Sequence, residues 1–242
     1  MFRQSFGAYA SNITTALAFA LLLVFVLPFF WLSNTIVASG TVILDYGFMK
    51  QHPVVALLVL CLVLAFLFFY SLLVSLMVFA VRNELSHVKV HLYLKEKLDK
   101  FGLKYFVFLA AFTVLTALVA SVLVDFGVST AWVNLVLLVL SASFLFLPQA
   151  IVVDEESLVS SVLTNWEYIG KHPLHFLFVM AFGLVSVFVL QLLEYALDYY
   201  FAWGGFISLL IALVLLVPFV EALKTYIYMN RFGILQSYDK VM

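Results

Sequence analysis

Charge is missing from six long stretches of this chain: residues 4–44, 51–81, 105–124, 126–153, 172–193 and 199–220 hold no Asp, Glu, Lys or Arg. An α-helix rises about 1.5 Å per residue, so about 20 residues cross the ~30 Å hydrocarbon layer of a bilayer. Each stretch is long enough. Backbone amides in hydrocarbon must bond within their own segment or around a closed barrel. Barrel strands would show short runs of alternating polarity, so unbroken apolar runs predict helices. The expected fold is an all-α, six-transmembrane-helix bundle with spans at about 14–38, 53–81, 105–125, 130–152, 174–197 and 203–227, forming one membrane domain over residues 1–242. Composition agrees. Charged residues make up 10% and mean hydropathy is +1.18, against about 25% charged residues in soluble proteins. The first apolar run exceeds a signal-peptide core and no A-x-A site follows it, so it is expected to be a permanent anchor.

Six spans put the N-terminus, the second and fourth connections and the C-terminus on one side. That side holds Arg3, Arg82, Lys89, Lys95, Lys97, Lys100, Lys104, Lys171, Lys224, Arg231 and Lys240, and the other holds only Lys50. Because basic loops stay in the cytoplasm, this split predicts cytoplasmic N- and C-termini in a multi-pass cell-membrane protein. A net charge of −1 argues against a nucleic-acid partner, which needs a concentrated basic surface. The single cysteine, Cys61, excludes an intrachain disulfide and any Cys-type metal spacing.

The three opposite turns share an aliphatic–Asp–aromatic step: LDYGF at 44–48, VDFGV at 124–128 and LDYYF at 197–201. Asp45, Asp125 and Asp198 can cap a helix or bond a turn backbone, and the adjacent rings suit the headgroup level. Gly47, Gly127 and the Gly204–Gly205 pair supply positive φ where the chain reverses. SFGAYASN at 5–12 aligns without gaps over NWEYIGKH at 165–172, and HLYLKEKLDKFGLK at 91–104 holds the equivalent place before the third span. The pattern predicts three pseudo-repeats, each an interfacial helix followed by a membrane hairpin. In the last, Leu158, Val162, Trp166 and Ile169 share a helical face, with Asp154 as N-cap and Glu155 and Glu156 in the first turn. Phe2, Phe6, Tyr9 and Ile13 make a similar stripe, and 82–104 reads as a helix because a lone strand would have no partner. Such helices lie in the headgroup plane, apolar side down.

Four histidines have ligand-like spacing. Glu84, His87 and His91 fall at i, i+3 and i+7, and His172 and His175 at i and i+3, so each group shares a helical face and imidazole suits zinc or iron. The blander reading is interfacial packing, since His52-Pro53 and His172-Pro173 both open spans. Glu221, late in the sixth span, is an ionisable group at membrane depth; Lys224 at i+3 is its natural partner. Pro148 and Pro218, in FLPQA and LVPFVEA, bend the fourth and sixth spans. The three Asp residues could also ring a cation mouth, although nothing beneath them continues a polar path. No nucleophile–base pair, phosphate loop or H-E-x-x-H occurs. No cofactor is expected.

Phe146–Phe178 runs from a span ending in Pro through an acidic step and an amphipathic helix into the next span. It resembles a broad group of multi-pass membrane proteins that includes the membrane domain found ahead of some glycerophosphodiester phosphodiesterases. Pro218–Gly233 resembles that group's closing segment. The resemblance implies about six helices with interfacial segments and no established catalytic residues. Nothing resembles the phosphodiesterase catalytic domain.

Three functions follow as expectations. The first is a non-enzymatic scaffold or lipid-organising subunit whose partners are membrane lipids and other membrane protein subunits. The second is a transporter or channel for a small solute or ion, and the third a metal-dependent membrane enzyme built on His87, His91, His172 and His175.

Overall fold

The structure is a computed structural model that describes residues 2–31, 35–38, 41–44, 52–86, 94–200 and 204–232. Its helices in chain order are α1 (Phe2–Ser11), α2 (Ile13–Ala18), α3 (Leu23–Trp31), α4 (Pro53–Ser86), α5 (Leu94–Lys97), α6 (Leu103–Asp125), α7 (Thr130–Ala142), α8 (Leu147–Val153), α9 (Leu158–Lys171), α10 (Pro173–Tyr200), α11 (Gly204–Ile211) and α12 (Val217–Met229). The first span joins α2 to α3 through a 3₁₀ turn, Phe19–Leu22. Five further helices are long and apolar enough to cross a membrane: Val54–Ser86, Lys95–Asp125, Thr130–Val153, Pro173–Tyr200 and Gly204–Met229. The architecture is an all-α membrane bundle of about six spans.

Three boundaries differ from expectation. The first span ends as a helix at Trp31, and Thr35–Ala38 pairs antiparallel with Thr41–Leu44. Thr, Ile and Val side chains branched at Cβ favour that extended backbone. A helix expected over 82–104 is instead divided. Span 2 continues to Ser86, and Leu94–Lys97 runs through a π turn, Leu98–Gly102, directly into span 3. The Ser71 hydroxyl of span 2 lies 3.2 Å from Gly102 O at the end of that turn and 2.8 Å from Phe68 O of its own helix. The third difference is at α9, where Ser157 is the N-cap, accepting from Ser160 N at 3.3 Å. Asp154, Glu155 and Glu156 therefore lie outside the helix and are free to bond elsewhere.

Pro148 and Pro218 sit at breaks, where a missing N–H is best tolerated. Before Pro148, residues 143–146 form a turn between α7 and α8. The amide of Asn165 repairs it in both directions, since Nδ2 donates to Ser143 O at 2.7 Å and Oδ1 accepts from Phe146 N at 3.0 Å. Before Pro218, span 6 widens into a π turn, Ala212–Leu216. Proline cannot donate to the carbonyl four residues back, which is Val214 O; the Tyr9 hydroxyl of α1 donates to it instead at 3.3 Å.

Spans 2, 4 and 6 make the centre. Their most apolar 18-residue windows are 22%, 44% and 39% buried, whereas that of span 3 is 0% and that of span 5 is 11%. The core joins Met77 and Val78 of span 2 to Ile151 of span 4 and Ala222 of span 6, with Phe19 of span 1. Span 5 stands outside this core and span 3 enters it through Phe101 and Tyr105 near its start, while most side chains of both point outward. The helix before span 1 turns by 68° at Asn12, so α1 leaves the axis of its span and packs against α12.

Candidate functional site

Arg82 of span 2, Lys100 and Lys104 of span 3 and Arg231 just after span 6 gather at one end of the bundle around the loop 154–157. Asp154 accepts from the Tyr228 hydroxyl at 2.6 Å and pairs with Arg231. Glu155 pairs with Arg82 at 2.8 Å and with Lys100. Arg82 also donates to Val152 O at 2.7 Å, and Lys104 to Glu156 O at 2.8 Å. Glu156 turns back to α9, where its Oε2 accepts from Ser160 and Thr164, both at 2.8 Å. Three consecutive carboxylates thus tie four elements. Glu155 holds φ at +58°, a left-handed backbone costly for a side chain with a Cβ, and that conformation forms part of the turn between α8 and α9. Burial works against ionisation of Glu155, but hydrogen bonds from Lys100 and Arg82 outweigh it and hold the carboxyl below its ordinary range.

Directly beneath this clasp lies a polar cluster wholly inside the protein. Glu221 and Lys224 pair at 2.7 Å with each side chain only 6% exposed. Across the span boundary, Gln149 Nε2 donates to Glu221 Oε2 at 2.9 Å, and Thr225 Oγ1 donates to Glu221 O at 2.7 Å. Gln149 follows Pro148 and Glu221 lies three residues after Pro218, so the cluster forms where two broken spans meet. Among the described residues, Gln149 Oε1 is buried without a hydrogen-bond partner. The i, i+3 pair is the one expected from sequence. Gln149, Thr225 and Asn165 were not anticipated. Their signal was a polar residue inside an apolar run, next to a proline in one case and within the amphipathic helix in another.

The other candidate residues fall elsewhere. His87, His91 and Asp45 lie outside the described residues. The Glu84 carboxylate accepts from Ser11 at 2.7 Å and from Asn12 at 2.8 Å, fastening the α1–α2 bend to the end of span 2. His172 and His175 stack at 5.3 Å beside Tyr168. Burial pushes the Tyr168 phenol above its ordinary value, against the pull of Arg231. Its proton goes to Ile227 O at 3.2 Å, so His175 Nδ1, 3.2 Å away, acts as donor. Among the described residues no three His, Cys, Asp or Glu side chains group as a metal site would need. Asp198 caps span 6 by accepting from Gly204 N at 2.9 Å. A Cβ on Gly204 would stand 2.4 Å from Asp198 Oδ1 and 2.9 Å from Glu194 O, so only glycine fits that approach. Asp125 ends span 3, where Gly127 takes φ +73°. Glu194, unremarked in the sequence, accepts from the Ser208 hydroxyl at 2.8 Å between spans 5 and 6.

Two apolar cavities flank span 5. One, about 540 Å³, lies between spans 5 and 6 beside α1. The other, about 390 Å³, lies between spans 4 and 5 against Trp166 and Ile169 of α9. No family model, curated protein or solved structure matches the chain.

Proposed function

We propose that this chain is a non-enzymatic polytopic membrane protein that organises lipid at one leaflet, as a scaffold or a subunit of a membrane complex. One observation carries the reading: on the flanking helices α1 and α9, large apolar side chains face out of the protein beside buried Ser, Asn and Tyr side chains. On α9, Ser161, Asn165 and Tyr168 are buried while Val159, Leu163 and Trp166 are exposed; on α1, Ser5 is buried and Phe6 is exposed. An outward apolar ridge beside the ends of membrane spans suits insertion among lipid headgroups and upper acyl chains. The basic end is taken as cytoplasmic because lysine and arginine are retained there.

Contacts between elements support the three-unit plan. The 98–102 turn packs on span 2, α9 on α8 at the end of span 4, and α1 on α12 at the end of span 6. Each segment ahead of a hairpin leans on the last span of another unit, and α1 closes the ring. A relation to the phosphodiesterase-linked membrane group rests on Phe146–Phe178 and Pro218–Gly233. These two stretches bond each other through Gln149–Glu221, Asp154–Tyr228 and Tyr168–Ile227.

The test is Leu163→Glu with Trp166→Glu. Both positions face outward, so the fold is expected to persist while lipid co-purifying from mild detergent falls. Retention of the wild-type lipid complement by a folded double variant would refute the reading. A second reading, transport of a small cation, is favoured by the buried Glu221–Lys224–Gln149 cluster at the meeting of two broken spans. Cation flux in proteoliposomes that disappears with Glu221→Gln would establish it.

A further inference from the structure

We propose that the cavity between spans 5 and 6 is a built site for one acyl chain of a phospholipid in the leaflet at the basic end. This inference rests on the lipid-organising reading and names the ligand of one place in the molecule. The groove is lined by Phe6 and Tyr9 of α1, Val185 and Leu190 of span 5, and Leu215 and Phe219 of span 6, among others. Its flank is open, since Phe6, Val185 and Leu215 are exposed. Both walls are membrane spans, so that opening faces the hydrocarbon of the bilayer sideways.

Size selects the occupant. The lining runs from Phe182 to Leu190 on one wall and from Ile211 to Phe219 on the other, which at the helical rise is about 12 Å. One leaflet contributes about 15 Å of hydrocarbon. The groove holds about 540 Å³, drawn out along that length. A polymethylene chain fits that length and section. The chemistry agrees, because the Tyr9 hydroxyl is committed to Val214 O, leaving Ser186 as the other polar side chain of the lining. A polar ligand would find little to bond.

The groove is also made by a specific irregularity. Leu215 and Leu216 of the π turn Ala212–Leu216 lie on its wall, and π turns recur at functional sites. Tyr9 stands on the rim at the end where α1 crosses, so one side chain both satisfies the carbonyl freed by Pro218 and closes the groove toward the headgroups. A straight span 6 would have neither feature.

The experiment uses the full chain in phosphatidylcholine–phosphatidylglycerol vesicles containing a phosphatidylcholine with a diazirine midway along one acyl chain. After irradiation, peptides covering 182–190 and 211–219 are expected to carry about fivefold more label than 111–122 of span 3, equivalent to about 1 kcal/mol of preference. Val185→Trp with Leu215→Trp fills the groove from exposed positions and should bring that label down to the span 3 level. Val185→Ala with Leu215→Ala widens the groove and should keep it. Label concentrated on 159–166 instead would overturn the groove and leave the lipid-organising reading standing. Even label on every outward face would overturn both. Cross-linking of Val185→Cys copies to each other would overturn the groove in favour of a self-association surface.

Discussion

Replacing Gln149 by leucine tests whether the two broken spans are held together by their polar cluster. Glu221 and Lys224 lie one turn apart on the same helix, so their 2.7 Å pair survives when span 6 separates from the bundle. The tertiary contribution is the 2.9 Å bond from Gln149 Nε2 to the Glu221 carboxylate. A hydrogen bond to a charged group contributes about 1.5–3 kcal/mol in water-soluble proteins. Within membranes the separated helices find other partners, and measured couplings run from ~0.6 to ~1.7 kcal/mol. Gln149→Leu nearly conserves volume and is therefore expected to cost about 1–2 kcal/mol of unfolding free energy in mixed micelles. The sign should reverse when Glu221→Met and Lys224→Met are made first. In that apolar background Gln149 keeps only the long 3.4 Å bond to Thr225 Oγ1, and a buried amide left largely unsatisfied costs about 1–3 kcal/mol, so Gln149→Leu becomes stabilising. Reversible unfolding followed by tryptophan fluorescence reads both values. An equal cost in the two backgrounds would mean that the amide does not act through Glu221.

Tyr9→Phe should destabilise by about 1 kcal/mol through the unmet Val214 carbonyl, and by much less in a Pro218→Ala background, where the helix supplies that bond itself; thermal unfolding of the four variants decides it. Gly204→Ala forces Asp198 off the N-terminus of span 6 and should cost about 1–2 kcal/mol, with Asp198→Ala adding little on top. The Glu155 carboxyl is held below its ordinary range. Its contribution is therefore complete above the unfolded value near 4.5 and disappears as pH falls through the lower folded value. Stability measured below pH ~5 should thus fall more steeply for wild type than for Glu155→Gln.

The spans were legible because hydrocarbon imposes one requirement on every residue at once. A segment that cannot hydrogen-bond to its surroundings must be helical and apolar, and both properties are local. Capping of span 6 by Asp198 and the reversal at Gly127 belong to the same class, since a turn is decided within a few residues. The acidic step before α9 was visible in sequence as an N-cap and dipole signal. Its use was not, because Ser157 takes the cap and leaves Asp154 and Glu155 to basic groups more than fifty residues away.

By itself, the sequence determined the helices, their approximate number and the gathering of basic residues between them, each a consequence of transfer energies summed over about 20 neighbouring residues. Tertiary structure alone decided that spans 2, 4 and 6 form the centre, that Asn165 and Tyr9 repair the two proline breaks, and that Gln149 meets Glu221. In lipid, apolar side chains gain little from facing one another rather than the solvent hydrocarbon. Hydropathy therefore cannot choose which faces pack. That choice rests on a few shape fits and polar contacts between residues far apart in the chain, and those exist only once the bundle has formed.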